Sequence, residues 1–196
     1  MHLKNKKSLA ETHPEVASQW HPKKNGKLTP FDVTSGSGKK VWWKCDKGDD
    51  HEYLVQIHKK VRRNQGCTIC SGSKIVKSNC LATTHPDLSK QWHPTKNGAL
   101  KPTDIGFRSS KKVWWKCNKG DDHEWSASVN TRSRGTGCSV CSGRTIVKSN
   151  CLASTHPEIA KEWHPTKNKS YTPNNVGGGS GKKFWWKCQK VDDHIW

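Results

Sequence analysis

The chain has 196 residues, and its 35 Lys and Arg against 16 Asp and Glu give a formal net charge of +19. Only 31% of the residues are hydrophobic, against roughly 45–50% apolar residues in ordinary globular chains. These values argue against a single large apolar core. The 11 Trp and 9 Cys instead indicate small modules, each built on a few large aromatic side chains and held by cross-links.

The cross-links are better explained by metal than by disulfides. Nine cysteines cannot all pair within one chain. Residues 1–10 are basic and lack the apolar run of a secretory signal, and no stretch approaches the roughly 18–20 apolar residues that span a bilayer. We therefore expect an intracellular protein of the cytoplasm or nucleus, not secreted and without a membrane partner, in which clustered Cys and His bind metal.

A threefold repeat organises the sequence. Trp20, Trp92 and Trp163 follow one another at spacings of 72 and 71 residues. Self-similarity at a fixed period is typical of tandem modules. We therefore predict three modules: repeat one over residues 1–79, repeat two over 80–150, and repeat three over 151–196, which lacks the Cys-x-x-Cys of the other two.

Each repeat is predicted to open with a short helix. In repeat one, Thr12-His-Pro-Glu15 has the capping-box pattern, and a proline in the first turn costs no intrahelical hydrogen bond. Leu9, Val16 and Trp20 fall on one apolar stripe. The helix is predicted to end at His21-Pro22, because the residue before a proline is disfavoured in helical geometry.

A polar, turn-rich stretch separates this helix from a predicted β-hairpin. The first strand contains the string Trp-Trp-Lys-Cys, and a Lys-Gly-Asp-Asp turn follows in repeats one and two. The predicted first strands are Lys40–Cys45, Lys112–Cys117 and Lys183–Cys188, and the predicted second strands are His51–Ile57 and His123–Val129.

The cysteines and histidines of repeats one and two follow a metal-ligand spacing. Each repeat has Cys-x5-His, then 15 or 14 residues, then Cys-x2-Cys flanked by glycines. Two short-range ligand pairs joined by a loop suit tetrahedral Zn²⁺ in a closed structural site, so two structural ions are predicted. The predicted ligands are Cys45, His51, Cys67 and Cys70 in repeat one and Cys117, His123, Cys138 and Cys141 in repeat two.

These elements together predict the fold class: small α+β zinc-stapled modules in tandem. Each module would combine a short helix with a zinc-ribbon or treble-clef-like β-hairpin and a Cys-x-x-Cys knuckle. Two alternatives for the ligands stay open. The Cys-x-x-Cys could be a redox pair, and the Asp pairs Asp49/Asp50 and Asp121/Asp122 could replace the histidines as ligands.

The remaining cysteines are interpreted by their position in the repeat. Cys80 and Cys151 stand where repeat one has Ser8, so we do not expect them to bind metal. Cys188 and His194 match the first ligand pair of a third site. That site is predicted to be incomplete, and either empty or completed by another chain.

The combined motifs resemble a known family. The strings Trp-Trp-Lys-Cys, His-Glu-Trp, Gly-Cys-x-x-Cys-Ser-Gly and Trp-His-Pro-Thr-Lys-Asn-Gly are similar to those of the "probable zinc-ribbon domain" family of tandem modules, also viewed as treble-clef zinc fingers. The resemblance runs from Ser8 to Trp196 and implies zinc binding through the eight ligands named above. Family members more often have a shorter Cys-to-His turn. Similar modules are sometimes attached to endonuclease domains of the very-short-patch-repair type, which implies a DNA-related role.

The charge pattern predicts the partner. A strongly basic chain attracts polyanions, and basic residues beside aromatic ones can bind phosphates and stack on bases. One tryptophan of each Trp-Trp pair is expected in the core and its neighbour at the surface. We therefore predict a zinc-binding, non-catalytic nucleic-acid-binding protein, with DNA favoured. The candidate contacts are Lys39, Lys40, Trp43, Arg62, Arg63, Lys111, Lys112, Trp115, Arg132, Arg134, Lys182 and Lys183.

Two other functions are kept as alternatives. A protein-interaction scaffold could use the Trp-rich modules against an acidic partner. An accessory part of a nuclease system is the second alternative. An enzyme is not predicted, because the available His and Cys already serve closed structural sites and no further carboxylate–His cluster recurs.

Overall fold

The computed structural model describes residues 6–62, 65–191 and 193–196. The predicted nucleic-acid contact Arg63 lies outside these described residues. Within them, every helix is too short or too polar to cross a lipid bilayer.

Short helices and two-stranded hairpins alternate along the chain. The elements of repeat one are α1 Leu9–Thr12, α2 Pro14–Ala17, β1 Lys40–Lys44, β2 Glu52–Gln56 and α3 Ile57–Arg62. Repeat two contains α4 Leu81–Thr84, α5 Pro86–Ser89, β3 Lys112–Lys116, β4 Glu124–Ser128 and α6 Val129–Ser133, and repeat three contains α7 Leu152–Thr155 and α8 Pro157–Lys161. The predicted fold class is confirmed, because these helices and antiparallel hairpins recur with the Cys-x-x-Cys knuckles.

Contacts divide the chain into two compact units. Their bounds are Met1–Pro86 with Leu100–Arg108 for the first, and Asp87–Ala99 with Ser109–Trp196 for the second. Because these bounds do not follow the sequence period, the division into three modules at residues 79 and 150 stays a prediction.

The helix at the start of repeat one is broken into two. His13 between α1 and α2 has φ −143° and ψ 66°, outside helical geometry, because the residue before a proline is pushed out of it. The capping box predicted at Thr12 and Glu15 is therefore wrong. Ser8 caps α1 instead: its backbone N–H donates to the Glu11 carboxylate at 2.7 Å, and its hydroxyl accepts from the Glu11 N–H at 3.3 Å.

The predicted hairpins of repeats one and two are present, whereas the strand predicted over Lys183–Cys188 is wrong: the described residues there form only isolated bridges, at Trp186 and Lys187. Trp43 pairs with Tyr53 in the antiparallel ladder of β1 and β2, and Trp115 pairs with Trp125 in that of β3 and β4. The second strands end sooner than predicted, at Gln56 and Ser128, and a helical turn follows each of them. These helices, α3 and α6, were not predicted, because their five or six residues carry too little periodicity.

The core of repeat one lies on the inner face of its hairpin. Trp43 is fully buried, and its ring meets Trp20 edge to face with centroids 5.4 Å apart. Its indole N–H donates to the carbonyl of Val55 at 3.1 Å, so the polar atom is satisfied. Burying one such side chain stabilises the fold by roughly 4–6 kcal/mol, a large contribution in so small a core.

Candidate metal centres and the hairpin surfaces

Four ligand atoms converge at the turn end of each complete hairpin. In repeat one, the Sγ atoms of Cys45 and Cys70 are 3.7 Å apart, and Nδ1 of His51 lies 3.8 Å from the Sγ of Cys67 and 3.3 Å from that of Cys70. All four atoms lie within 4.8 Å of one another. Repeat two gathers Cys117, His123, Cys138 and Cys141 in the same way.

These distances fit one tetrahedral zinc ion per cluster. Zn–S bonds of about 2.3 Å and Zn–N bonds of about 2.0 Å place two sulfur atoms about 3.8 Å apart, and sulfur and nitrogen about 3.5 Å apart. The observed sulfur–sulfur distances are 3.7 and 3.8 Å, far longer than a disulfide bond. With three thiolates and one imidazole in each closed set, the two clusters are structural zinc sites.

The electrostatics of the cluster also favour a bound cation. Burial, with the neighbouring sulfur atoms of Cys45 and Cys67, raises the pKa of the Cys70 thiol to about 11 when no metal is bound. The same causes raise the pKa of Cys141 to about 11 in repeat two. A divalent ion would offset the repulsion between the thiolates, so metal binding must release protons from these thiols.

The hairpin and the knuckle each supply two ligands. Cys45 directly follows β1 and His51 directly precedes β2, and the Cys45 N–H donates to the His51 carbonyl at 3.0 Å. In the knuckle, the Ser71 N–H donates to the Cys67 carbonyl at 3.1 Å. Gly72 then takes a φ of 77°, a left-handed conformation that glycine adopts without strain.

A serine and an aspartate hold each ligand imidazole from its far side. In repeat two, Nε2 of His123 lies 3.2 Å from the Ser149 hydroxyl, which donates to the Asp122 carboxylate at 2.7 Å. His51 contacts Ser78 at the same 3.2 Å in repeat one. Because Nδ1 faces the metal, Nε2 carries the proton and donates to the serine, which fixes the tautomer.

This arrangement argues against the alternative in which an aspartate replaces the histidine as a metal ligand. The carboxylates of Asp50 and Asp122 lie 4.0 Å from Nε2, on the side of the ring that faces away from the thiols. Hydrogen bonds from Ser78 and Ser149 lower the pKa of these carboxyl groups. The aspartates therefore support the ligand histidines instead of binding the metal.

The glycine in the hairpin turn leaves room for the imidazole. A Cβ at Gly48 would lie 2.8 Å from Cδ2 of His51, and one at Gly120 would lie 2.7 Å from Cδ2 of His123. Gly48→Ala should therefore displace the ring and weaken zinc binding at that site about 10- to 100-fold, as loss of support for a metal ligand does. Competition with a chelator measures the change. Gly38→Ala, whose Cβ meets nothing within 4 Å, is the matched control and should leave the affinity unaltered.

The described residues of repeat three form no complete metal site. Among the described residues, metal-compatible clusters form in repeats one and two only. Val191 occupies the position of Gly48 and Gly120, where a Cβ would clash with the ligand imidazole. His194 therefore cannot pack on its turn as His51 and His123 do. The prediction of an incomplete third site at Cys188 and His194 is confirmed.

A buried cation lies beside each complete site. Nζ of Lys60, 6% exposed, donates to the Tyr53 hydroxyl and to Oε1 of Gln19 at 2.8 Å each, and lies 5.2 Å from the centroid of the Trp43 ring. Burial lowers the pKa of Lys60, and the thiols of Cys45 and Cys67 oppose that shift. The positive charge of this lysine therefore partly compensates the net negative charge of a zinc ion bound by three thiolates.

Arg132 takes the same position in repeat two. Its guanidinium lies 5.3 Å from the Trp115 ring centroid and 5.0 Å from that of Trp125, and it donates to Gln91. At 6% exposure, Arg132 is too buried to reach a nucleic acid, so its predicted role as a contact is wrong. A guanidinium in cation–π contact with two aromatic rings contributes to the core instead.

Replacing the buried lysine by a neutral side chain should destabilise repeat one. Lys60→Met would leave the Tyr53 hydroxyl and the Gln19 amide without their partner, at a cost of about 1–3 kcal/mol. Lys60→Arg should retain stability, because repeat two already uses arginine there. Chemical denaturation followed by zinc release measures the effect. Lys59→Met, at the neighbouring and more exposed position, is the control; an equal loss in both variants would contradict the role assigned to Lys60.

The two tryptophans of each Trp-Trp pair have opposite positions. The inner tryptophans, Trp43 and Trp115, are 0% exposed, so their predicted role as nucleic-acid contacts is wrong. Their neighbours Trp42 and Trp114 point to the other face of the hairpin, where Trp42 is half-buried and Trp114 is 38% exposed. At the matching position of repeat three, Trp185 is 48% exposed. We name these the outer tryptophans: Trp42, Trp114 and Trp185.

The other predicted contacts remain on the surface. Exposed side chains are found at Lys39, Lys40, Arg62, Lys111, Lys112, Arg134, Lys182 and Lys183. Along β1, Lys40 and Lys44 share the face of Trp42, because side chains alternate along a strand. The outer faces of β1 and β3 thus each carry a tryptophan between lysines, and a nucleic-acid role for these residues stays a prediction.

Comparison with known proteins agrees with this geometry. No curated protein matches the chain. A family model described as "Probable Treble clef zinc finger domain" matches residues 16–73, 88–144 and 159–196, one match in each repeat. The first two matches contain the complete four-ligand clusters, and together the three cover most of the chain. The chain belongs to this family of treble clef zinc fingers, repeated three times.

Proposed function

We propose that this zinc protein is a non-catalytic nucleic-acid-binding protein, with DNA as the favoured polymer. The observation that carries the proposal is the exposed lysines near the outer tryptophans: Lys40 and Lys44 beside Trp42, Lys112 beside Trp114 and Lys183 beside Trp185. Lysines held on a hairpin neutralise phosphates and release the counterions condensed on the nucleic acid, which supplies affinity for any nucleic acid.

The charge of the whole chain supports the same partner. Each Cys3His zinc site carries one net negative charge, so two sites remove two units from the formal charge of +19. The zinc-loaded protein therefore stays strongly basic, which favours association with polyanions and accelerates encounter with them. The reduced thiolates that zinc needs also support a location inside the cell.

The metal sites support a role without catalysis. Each zinc ion would have four protein ligands, three thiolates and an imidazole, which leaves no position for a reacting water or substrate. Closed sites of this kind stabilise folds, whereas catalytic zinc keeps an open position. The protein would therefore bind nucleic acid without cutting it.

A binding titration at several salt concentrations tests the proposal. Affinity for duplex and single-stranded DNA and RNA should fall linearly on a log–log plot against salt, with a slope of about −0.7 to −0.9 per phosphate contact. Lys111→Gln with Lys112→Gln should reduce the slope by about two. Lys90→Gln, a lysine already paired with Asp87, is the control. Binding that does not respond to salt, or no binding at all, would rule the proposal out.

One observation favours a protein partner as the second candidate. Leu54, opposite Trp42 in the ladder, is 47% exposed and extends an apolar patch over the outer face of the first hairpin. Such a patch could contact an acidic protein in the manner of an interaction scaffold. Co-purification that survives nuclease treatment would favour this candidate over the first.

A further inference from the structure

The outer tryptophans share a local arrangement of side chains that packing of the core does not require. In repeats one and two they lie on the outer faces of the hairpins, whereas the inner tryptophans fill the core against Trp20 and Trp92. In repeat three, Trp185 is exposed while Trp186 meets Trp163 edge to face. Trp114 and Trp185 are exposed and Trp42 is half-buried, and such positions stabilise the fold less than the fully buried ones of the inner tryptophans do. The presence of an outer tryptophan in all three repeats therefore indicates a role beyond packing.

An asparagine holds the backbone of each outer tryptophan. The N–H of Trp42 donates to Oδ1 of Asn25 at 2.8 Å, and Nδ2 of Asn25 donates back to the Trp42 carbonyl at 2.9 Å. Asn97 holds Trp114 and Asn168 holds Trp185 through the same pair of bonds, at 2.7–2.9 Å. The backbone that carries each ring is therefore fixed before any partner binds.

A lysine lies over each of these rings. The Nζ atoms of Lys24, Lys96 and Lys167 lie 4.9, 4.8 and 4.7 Å from the ring centroids of the outer tryptophans. In repeats one and two, Lys24 and Lys96 also contact the carboxylates of Glu52 and Glu124. Each lysine thus places a positive charge against an indole ring, where it can also meet the phosphate of a stacked nucleotide.

Repeat three retains this local arrangement where other features of the repeat have changed. Val191 replaces the turn glycine, Ile195 stands at the position of Glu52, and the third metal site is incomplete. Yet Asn168, Lys167 and Trp185 keep the geometry of the other two repeats. The asparagine–lysine–tryptophan surface is thus independent of the zinc site, which points to a role in binding.

We propose that the outer tryptophans are stacking platforms for unpaired bases, so that the preferred ligand is single-stranded nucleic acid. This inference rests on the proposed nucleic-acid binding and names its substrate class. In a duplex the bases stack on one another and present only their edges, whereas an unpaired base can lie against an indole ring. Stacking of this kind is tolerant of sequence, because every base has a flat face.

Fluorescence anisotropy with the full zinc-loaded chain tests the inference. The probes are an oligothymidylate of about 20 nucleotides, long enough for several stacking sites, its RNA counterpart, and a duplex of the same length at matched salt. We expect tighter binding to the single strands. The triple variant Trp42→Leu, Trp114→Leu and Trp185→Leu should lose about tenfold or more on single strands and change little on the duplex. Zinc content and circular dichroism verify that the variant is folded.

A matched control separates stacking from general exposure of aromatic residues. Phe31 is 68% exposed and belongs to none of the three platforms, so Phe31→Leu should leave both affinities unchanged. Equal affinity of the wild type for single strands and duplex, or an equal loss on both in the triple variant, would overturn the inference while leaving nucleic-acid binding intact. No binding to any probe would overturn the proposed function as well.

Discussion

Cys67→Ser should remove one zinc ion from the chain and unfold the hairpin of repeat one. Structural zinc contributes about 10–16 kcal/mol in small zinc-finger peptides, which exceeds or equals the whole stability of a typical domain. The hydroxyl of serine does not replace a thiolate at a site of this kind. Hydrogen exchange of the amides in β1 and β2, measured by mass spectrometry, should therefore become fast.

The same experiment tests whether the zinc sites act independently. Because the second cluster draws all four ligands from Cys117 to Cys141, exchange in β3 and β4 should stay slow in Cys67→Ser. Cys138→Ser should give the converse pattern. Cys80→Ser is the control: Cys80 is 2% exposed at the start of α4, where repeat one has Ser8, so the hydroxyl fits. Loss of protection in both hairpins at once would contradict independent sites.

Trp43→Ala and Trp42→Ala should differ sharply although they are neighbours. Removing the fully buried ring of Trp43 leaves a cavity under Trp20 and should cost about 3–5 kcal/mol of unfolding free energy. Removing the outward ring of Trp42 should change stability by about 1 kcal/mol or less, as surface substitutions do. Urea unfolding followed by circular dichroism and zinc release measures both. Equal losses would contradict the assignment of the inner and outer faces.

The sequence alone was sufficient to predict the metal sites. Cys45, His51, Cys67 and Cys70 recur at nearly fixed spacing in repeat two, and four such donors at a repeated spacing are typical of a structural zinc site. The hairpin was predictable for a similar reason, because its strands are rich in tryptophan and valine and bracket a turn of Lys-Gly-Asp-Asp. The supporting role of Ser78 was not predictable, because its contact with His51 joins residues 27 positions apart.

The faces of the first strand were assigned incorrectly from the sequence, although a signal was available. Val41, Trp43 and Cys45 alternate on one face, and the face with the zinc ligand must be the inner one. Lys40 and Lys44 share the other face with Trp42, which marks it as the outer one. Alternation therefore identifies the buried tryptophan once the ligand cysteine is used as the reference point.

The buried cations could not be predicted from residue type. Lysine and arginine are almost never fully buried unless they are paired, so Arg132 was expected at the surface. Its position in the repeat corresponds to that of Lys60, and a positive charge in both repeats was the only available signal. The side chains of Gln19 and Gln91 accept hydrogen bonds from these cations, and each lies 41 residues away in the sequence.

The number of zinc ions per chain, measured by native mass spectrometry, tests the central claim most directly. The two closed clusters predict two ions in the wild type, one ion in Cys67→Ser, and two in Cys188→Ser, because repeat three has no complete site among the described residues. A chain that folds with no zinc, or that binds three ions and loses one with Cys188→Ser, would contradict this account.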